Sequence, residues 1–211
     1  MAAVVTECER VQLHWFSSRA RLLGGQVEQD GPLSWVHGPD GRNLMFPARI
    51  PADALARCVQ RAADAELPMV GAWLGLDVDA TALADAGFER GWRPLWMAAR
   101  PTDVGAPDHA RTGPPSELRI EFQETSPDYE REDPGYRAQV TVAQDRPKHS
   151  WYAAAYLAGH FAGRAWSHVT GATAGVFDMQ VWPPFRRRGW APRCCAPSAR
   201  RRPARERAGS F

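Results

Sequence analysis

A basic, glycine-containing turn stands directly after an apolar stretch near residue 180, and it could bind phosphate. The turn is introduced by Pro183 and Pro184 and reads Arg186, Arg187, Arg188, Gly189, Trp190 and Ala191. Two prolines end a strand because neither donates a ladder hydrogen bond. The N–H groups of such a turn converge on one point, and the arginines add positive charge. We therefore expect a pyrophosphate site here, with a solvated basic turn as the alternative.

An apolar strand is predicted before this turn, through Val176, Phe177, Met179 and Val181. Asp178 interrupts the apolar residues, and its carboxylate could accept a proton from an incoming nucleophile through a water molecule. Regular alternation would place Asp178 and Gln180 on one face of the strand. The alternative is a solvated structural carboxylate. His160 and His168 are two further acid–base candidates. The alternative is that each lies on ordinary loop or sheet surface.

This order of strand, proline break and basic turn resembles the GNAT superfamily of acyl-CoA-dependent N-acyltransferases. In that family the strand is followed by [Q/R]-x-x-G-x-[G/A], and Arg186, Gly189 and Ala191 stand at the three fixed positions. The resemblance implies acetyl-CoA as the acyl donor and an unidentified primary amine as the acceptor. It also implies that pantetheine pairs with main-chain groups and that pyrophosphate lies on the turn. The implied donor-binding residues are Met179, Gln180, Val181, Arg186, Arg187, Arg188, Gly189, Trp190 and Ala191.

Residues 117–191 are expected to form an incomplete GNAT domain. Strands are predicted at Leu118–Phe122, Trp151–Ala158 and Arg164–Val169, and Gly159–Gly163 predicts a five-residue hairpin loop between the last two. The family's usual acid is a tyrosine after the phosphate turn, but all four tyrosines precede it. The resemblance therefore implies an acyltransferase domain that lacks this acid and could be inactive.

The residues after Ala191 do not continue the family pattern. Prolines at positions 192, 197 and 203 would interrupt a helix, and the only large apolar side chain after Trp190 is Phe211. We expect a disordered basic tail over residues 192–211, because such a segment has little to bury. A frameshift in the gene near codon 191 is the expected origin of this tail.

The first hundred residues are expected to form a degenerate, non-catalytic GNAT-like domain. A helix is predicted at residues 9–23, a hairpin at 33–46, helices at 51–66 and 79–86, and strands at 69–74 and 92–99. The segment Phe46–Pro51 contains no glycine where a main chain would approach phosphate closely. Residues 101–116 hold four prolines and two glycines, which is typical of an interdomain linker. The sequence thus predicts a mixed α/β (α+β) fold, in which a GNAT-like central sheet is flanked by helices.

Composition narrows the class of protein. Apolar residues make up 44% of the chain, which is enough to build cores, and no apolar run reaches the length of a membrane span. The N-terminus does not read as a signal peptide, so a cytoplasmic protein is expected. The four cysteines lack zinc spacing, so no metal site is expected.

The C-terminal residues suggest a rival function. Residues 186–211 hold nine arginines and one glutamate. A non-enzymatic module whose tail binds nucleic acid or another acidic partner is therefore the rival function, but the scarcity of aromatic side chains in the tail disfavours nucleic acid.

Overall fold

The computed structural model describes residues 2–38, 41–91, 96, 98–99, 118–124 and 134–186. The chain divides into two compact units, Met1–Met97 and Ala98–Phe211. Each unit contains a four-stranded sheet, and the two units together contain four described helices. The predicted mixed α/β class is confirmed. The expected linker (101–116) and basic tail (192–211) lie outside the described residues.

The first unit consists of a long helix, a hairpin-rich sheet and a helical crossover. Its elements are α1 (Ala2–Leu22), β1 (Gln26–Asp30), β2 (Leu33–Gly38), β3 (Gly41–Met45), α2 (Ala52–Asp64), β4 (Val70–Trp73) and α3 (Thr81–Asp85). The sheet order is β1-β2-β3-β4. Its first three strands are antiparallel, and β4 runs parallel to β3 after the α2 crossover. The strand predicted at 92–99 falls mostly outside the described residues; the described positions 96, 98 and 99 are not in a strand.

Helix α2 forms because its apolar residues recur at helical spacing. Leu55, Cys58 and Ala62 make a buried stripe, and Pro51 stands just before the first turn. Leu55 and Cys58 belong to the same core as Leu33, which is fully buried on β2. Burial of a side chain such as Leu55 stabilises the unit by about 1.5–3 kcal/mol. The predicted helix at 51–66 is therefore confirmed, with slightly narrower bounds.

Strand β1 was not expected, because its sequence QVEQD is polar. Glu28 accepts hydrogen bonds from Arg42 Nη2 at 2.8 Å and from Arg61 Nη2 at 3.1 Å. Asp30 accepts one from Arg61 Nη2 at 3.0 Å. Gly31 takes a left-handed φ of 58° in the turn to β2. Charged contacts and a glycine turn therefore add to the pairing of β1 with β2 and to the packing of its one apolar residue, Val27.

The second unit is an antiparallel sheet with one described helix. Its elements are β5 (Leu118–Gln123), α4 (Pro134–Gln144), β6 (Ser150–Leu157), β7 (His160–Thr170), β8 (Thr173–Val181) and a 3-10 turn (Pro183–Phe185). The strand order is β5-β6-β7-β8. All four strands predicted from the sequence are therefore present, whereas α4 was not predicted.

The hairpin between β6 and β7 is tighter than expected. Ala158 and Gly159 take φ values of 47° and 80°, and Leu157 pairs directly with His160. Two left-handed residues between paired strands are the geometry of a type I′ turn. The expected five-residue loop is thus wrong, because the left-handed conformation of Ala158 closes the hairpin in two residues.

Candidate functional site

Strand β8 contains a bulge just before the predicted phosphate turn. The partners of Trp166 and Arg164 on β8 are Phe177 and Gln180, so two residues of β8 stand opposite one residue of β7. Asp178, at the bulge, has a left-handed φ of 50°. Because paired residues share a face, the bulge brings Gln180 to the face of Phe177. The expected regular alternation through Asp178 and Gln180 is therefore wrong.

The main chain of Val181 points away from β7. The Trp182 N–H donates to the Ala162 carbonyl at 2.9 Å, so these two residues form a hydrogen-bonded pair. The neighbouring pair, Val181 and Gly163, is then a non-hydrogen-bonded one, in which both peptide groups face outward. Within the described part of the sheet β8 is the outermost strand. The N–H and C=O of Val181 consequently lie on an open edge.

The side chain of Arg186 lies along this edge. Its Nε donates a hydrogen bond of 2.8 Å to the Val181 carbonyl. Its own N–H bonds to the Pro183 carbonyl at 3.3 Å, within the 3-10 turn. The predicted strand end after Val181 is confirmed, and the first residue of the basic turn is in contact with it. The other predicted phosphate residues (Arg187, Arg188, Gly189, Trp190 and Ala191) lie outside the described residues.

Asp178 is accessible on the bulge and contacts a cation. Its side chain is 58% exposed, and its Oδ2 lies 3.6 Å from Nη2 of Arg164, which is 15% exposed. Left-handed non-glycine residues concentrate at functional sites because the surrounding structure must hold them there. The next residue, Met179, is also exposed. The structure therefore places Asp178 beside the open edge and pairs it with an arginine that sequence reasoning missed.

The two histidine candidates do not join this site. His168 is fully buried in the sheet, and its Nδ1 lies 2.9 Å from the Ser150 hydroxyl, which is also buried. Its ring therefore packs within the core and is not accessible to a substrate in solvent. His160 is exposed and opens β7 at the hairpin.

One face of the sheet carries three aromatic side chains near the end of β8, which we call the aromatic row. The ring centroids of Tyr156 and Phe161 are 5.7 Å apart, and those of Phe161 and Trp182 are also 5.7 Å apart. All three side chains are partly exposed. Their spacing is the favourable range for edge-to-face aromatic contacts. Sequence reasoning missed the row because its members come from β6, from β7 and from the residue that follows β8.

A set of polar side chains, which we call the polar row, runs beside the aromatic row on the same face. Strand register places Glu121 opposite Ala154, which pairs with Arg164, which pairs with Gln180. Opposite residues of neighbouring strands share a face, so the register defines the polar row as Glu121, Arg164 and Gln180. The carboxylate of Glu121 also contacts Arg119, with 3.1 Å between Oε1 and Nε.

The structure is similar to that of a GCN5-related N-acetyltransferase from Kribbella flavida. The TM-score is 0.57, the alignment covers 92% of this chain and 77% of that chain, and the sequences are 14% identical. The chain has a GNAT-like fold. No protein-family model and no curated protein matches the sequence.

Within the GNAT-like fold, a separate cleft lies away from the end of β8. It has a volume of about 450 Å³ and is lined by residues at the start of β6 and by Glu124, Arg146 and Lys148. A hydrogen bond from Arg146 at 3.0 Å lowers the pKa of Glu124, with a smaller contribution from Lys148. Arg146 also binds the Gln144 carbonyl at the end of α4. Lys148 donates to the Ala143 carbonyl in the last turn of the same helix. Because the two cations satisfy carbonyls that end the helix, we assign the cleft a structural role.

The residues that the structure describes contain neither a membrane-spanning helix nor a cluster of metal-ligating side chains. None of their helices is both long and apolar enough to cross a membrane. They also contain no cluster of three histidine, cysteine or acidic side chains that could hold a metal ion. Among the described residues, the open edge of β8 with Arg186 and Asp178 is the candidate site.

Proposed function

We propose that the protein is an N-acyltransferase that transfers the acetyl group of acetyl-CoA to a primary amine. The observation that carries the proposal is the outward-facing main chain of Val181 beside Arg186, in a chain with a GNAT-like fold. An open strand edge can pair with an extended ligand, and the adjacent arginine supplies positive charge for a phosphate.

The donor would lie along Met179, Gln180 and Val181, with its pyrophosphate on Arg186–Ala191. The Val181 carbonyl already accepts an N–H from Arg186 at 2.8 Å, so a pantetheine amide can donate at the same position. Arg186 is then released toward the phosphate. Each charge-assisted hydrogen bond of this kind contributes about 1.5–3 kcal/mol.

Bound acetyl-CoA supplies a thioester whose carbonyl carbon is open to attack by a neutral amine. The Val181 N–H, which faces the same edge, donates to the thioester oxygen as negative charge develops on it. Asp178 accepts the amine's proton through a water molecule, since its carboxylate is exposed at the bulge. The new C–N bond forms, the C–S bond breaks, and CoA leaves as the thiolate.

The first unit is proposed to take no part in donor binding. The segment after its β3 has no glycine, and Phe46 there takes a left-handed φ of 45° while its N–H bonds to the Trp73 carbonyl. That N–H is therefore engaged within the sheet. Calorimetry should give one acetyl-CoA per chain, and a stoichiometry of two would contradict this assignment.

The donor site is tested with Gly189→Val. A branched side chain at a turn where the main chain approaches phosphate should weaken acetyl-CoA binding at least tenfold in isothermal titration calorimetry. Gly91→Val is the control, because a Cβ at Gly91 meets nothing within 4 Å. Equal affinity in wild type and Gly189→Val would remove the phosphate turn from the proposal. Failure of the wild-type chain to bind acetyl-CoA would overturn the proposed function.

A further inference from the structure

The aromatic row begins one residue beyond the proposed reaction point. Trp182 follows Val181, and its N–H is fixed on the Ala162 carbonyl. Its ring meets Phe161 edge-on, with 68° between the ring planes. The row continues to Tyr156 on β6. A partly exposed aromatic surface therefore starts where the acyl group would be transferred.

The polar row lies at the next position along the strands on the same face as the aromatic row. Same-face neighbours of one strand are separated by roughly 6.5–7 Å. The charges near this row are matched, since Arg119 contacts Glu121 and Arg164 contacts Asp178. The two carboxylate side chains are 34% and 58% exposed and remain accessible to an ammonium group. The surface thus joins a strip of mutually tilted aromatic rings to polar groups that can accept hydrogen bonds from an amine.

We infer that these two rows bind the acceptor and that its chemical class is an arylalkylamine. This inference rests on the proposed acyl transfer. The arene would lie on the aromatic row, where rings contact one another at 4.5–7 Å. The amine would reach Gln180 and the Asp178 carboxylate, whose Oδ2 lies 3.6 Å from Nη2 of Arg164 in the polar row. A short alkyl linker spans the step between the rows. A purely aliphatic or highly charged amine would leave the aromatic row uncovered.

Phenethylamine and butylamine are the probes, the second lacking the ring. Binding of each is measured by calorimetry without acetyl-CoA, and acetylation is then followed by release of free thiol. Phenethylamine should bind more tightly and have the higher kcat/KM. Phe161→Leu should weaken phenethylamine binding about two- to twelvefold, the range for loss of one aromatic contact, and leave acetyl-CoA affinity unchanged. Tyr156→Leu, at the far end of the row, is a second variant with the same expectation.

Trp96→Leu is the matched control. It breaks the Phe46–Trp96 pair in the first unit, whose centroids are also 5.7 Å apart and whose planes meet at 65°. It should leave phenethylamine binding unchanged. Equal binding of the two probes, or unchanged phenethylamine affinity in both row variants, overturns the inference even if acetyl-CoA binds. Absence of acetyl-CoA binding overturns the proposed function instead, and the donor-free measurements still decide whether the row binds an arene.

Discussion

Gly163→Ala should disturb both the stability of the second unit and its open edge. A Cβ built at Gly163 would lie 2.4 Å from the Gln180 carbonyl oxygen and 3.2 Å from the Val181 Cα, whereas ordinary contacts begin near 3.4 Å. Both atoms belong to the main chain, so β8 would have to move by about 1 Å. Overpacking of this kind costs about 1–3 kcal/mol.

Chemical denaturation and calorimetry measure the two consequences of this substitution. The free energy of unfolding should fall by about 1–3 kcal/mol, and acetyl-CoA affinity should fall roughly tenfold because the Val181 peptide is displaced. Gly38→Ala is the control, since a Cβ there meets nothing within 4 Å and Gly38 has no left-handed φ. Wild-type stability together with wild-type affinity in Gly163→Ala would refute the close pairing of β7 and β8 at this point.

Two other substitutions test single contacts. Arg186→Ala should strengthen binding of pantetheine, which has no phosphate, because the substitution frees the Val181 carbonyl. The same substitution should weaken binding of CoA, because it removes a positive charge near the phosphates. Affinity changes of the same sign for both ligands in calorimetry would contradict this contact. Hydrogen bonds from Arg61 and then Cys58 lower the pKa of Asp30, so its contribution to stability is present above the ordinary aspartate pKa and is lost as the pH falls through the lowered one. The difference in urea midpoint between wild type and Asp30→Asn should therefore be largest above about pH 5 and shrink below about pH 4, and a difference independent of pH would disprove the ion pair.

Apolar periodicity predicted the elements that bury a continuous stripe. Helix α2 was predicted because Leu55, Val59 and Ala62 recur at helical spacing, although the structure buries Cys58 rather than Val59 beside them, and β6 was predicted because its residues are nearly all apolar. The same reasoning missed β1, whose stability depends on arginines supplied by β3 and α2. A partner that lies 14 or 33 residues away cannot be read from a local pattern. The Asp-Gly pair at its end was the available turn signal.

The position of the candidate site was predictable, but its geometry was not. Pro183 and Pro184 marked the end of β8 in the sequence, and the strand does end at Val181. No glycine marks the bulge at Asp178 in the sequence. The left-handed φ of this residue is imposed by its pairing with the neighbouring strand, which a local pattern does not reveal. Regular alternation therefore assigned Gln180 to the wrong face. The aromatic and polar rows follow only from strand register, which a single sequence leaves open.

Three local features together determine the direction of the Val181 peptide. The bulge changes which face the residues after Asp178 occupy, and Gly163 lets β7 approach β8 closely. The Trp182 N–H then bonds to Ala162, which fixes the pair beside it as the non-hydrogen-bonded one. If any of the three were absent, the N–H and C=O of Val181 could turn toward β7 and form hydrogen bonds within the sheet. The open edge is thus a product of the β7–β8 pairing, so a substitution at Gly163, which touches no ligand, should still change donor affinity.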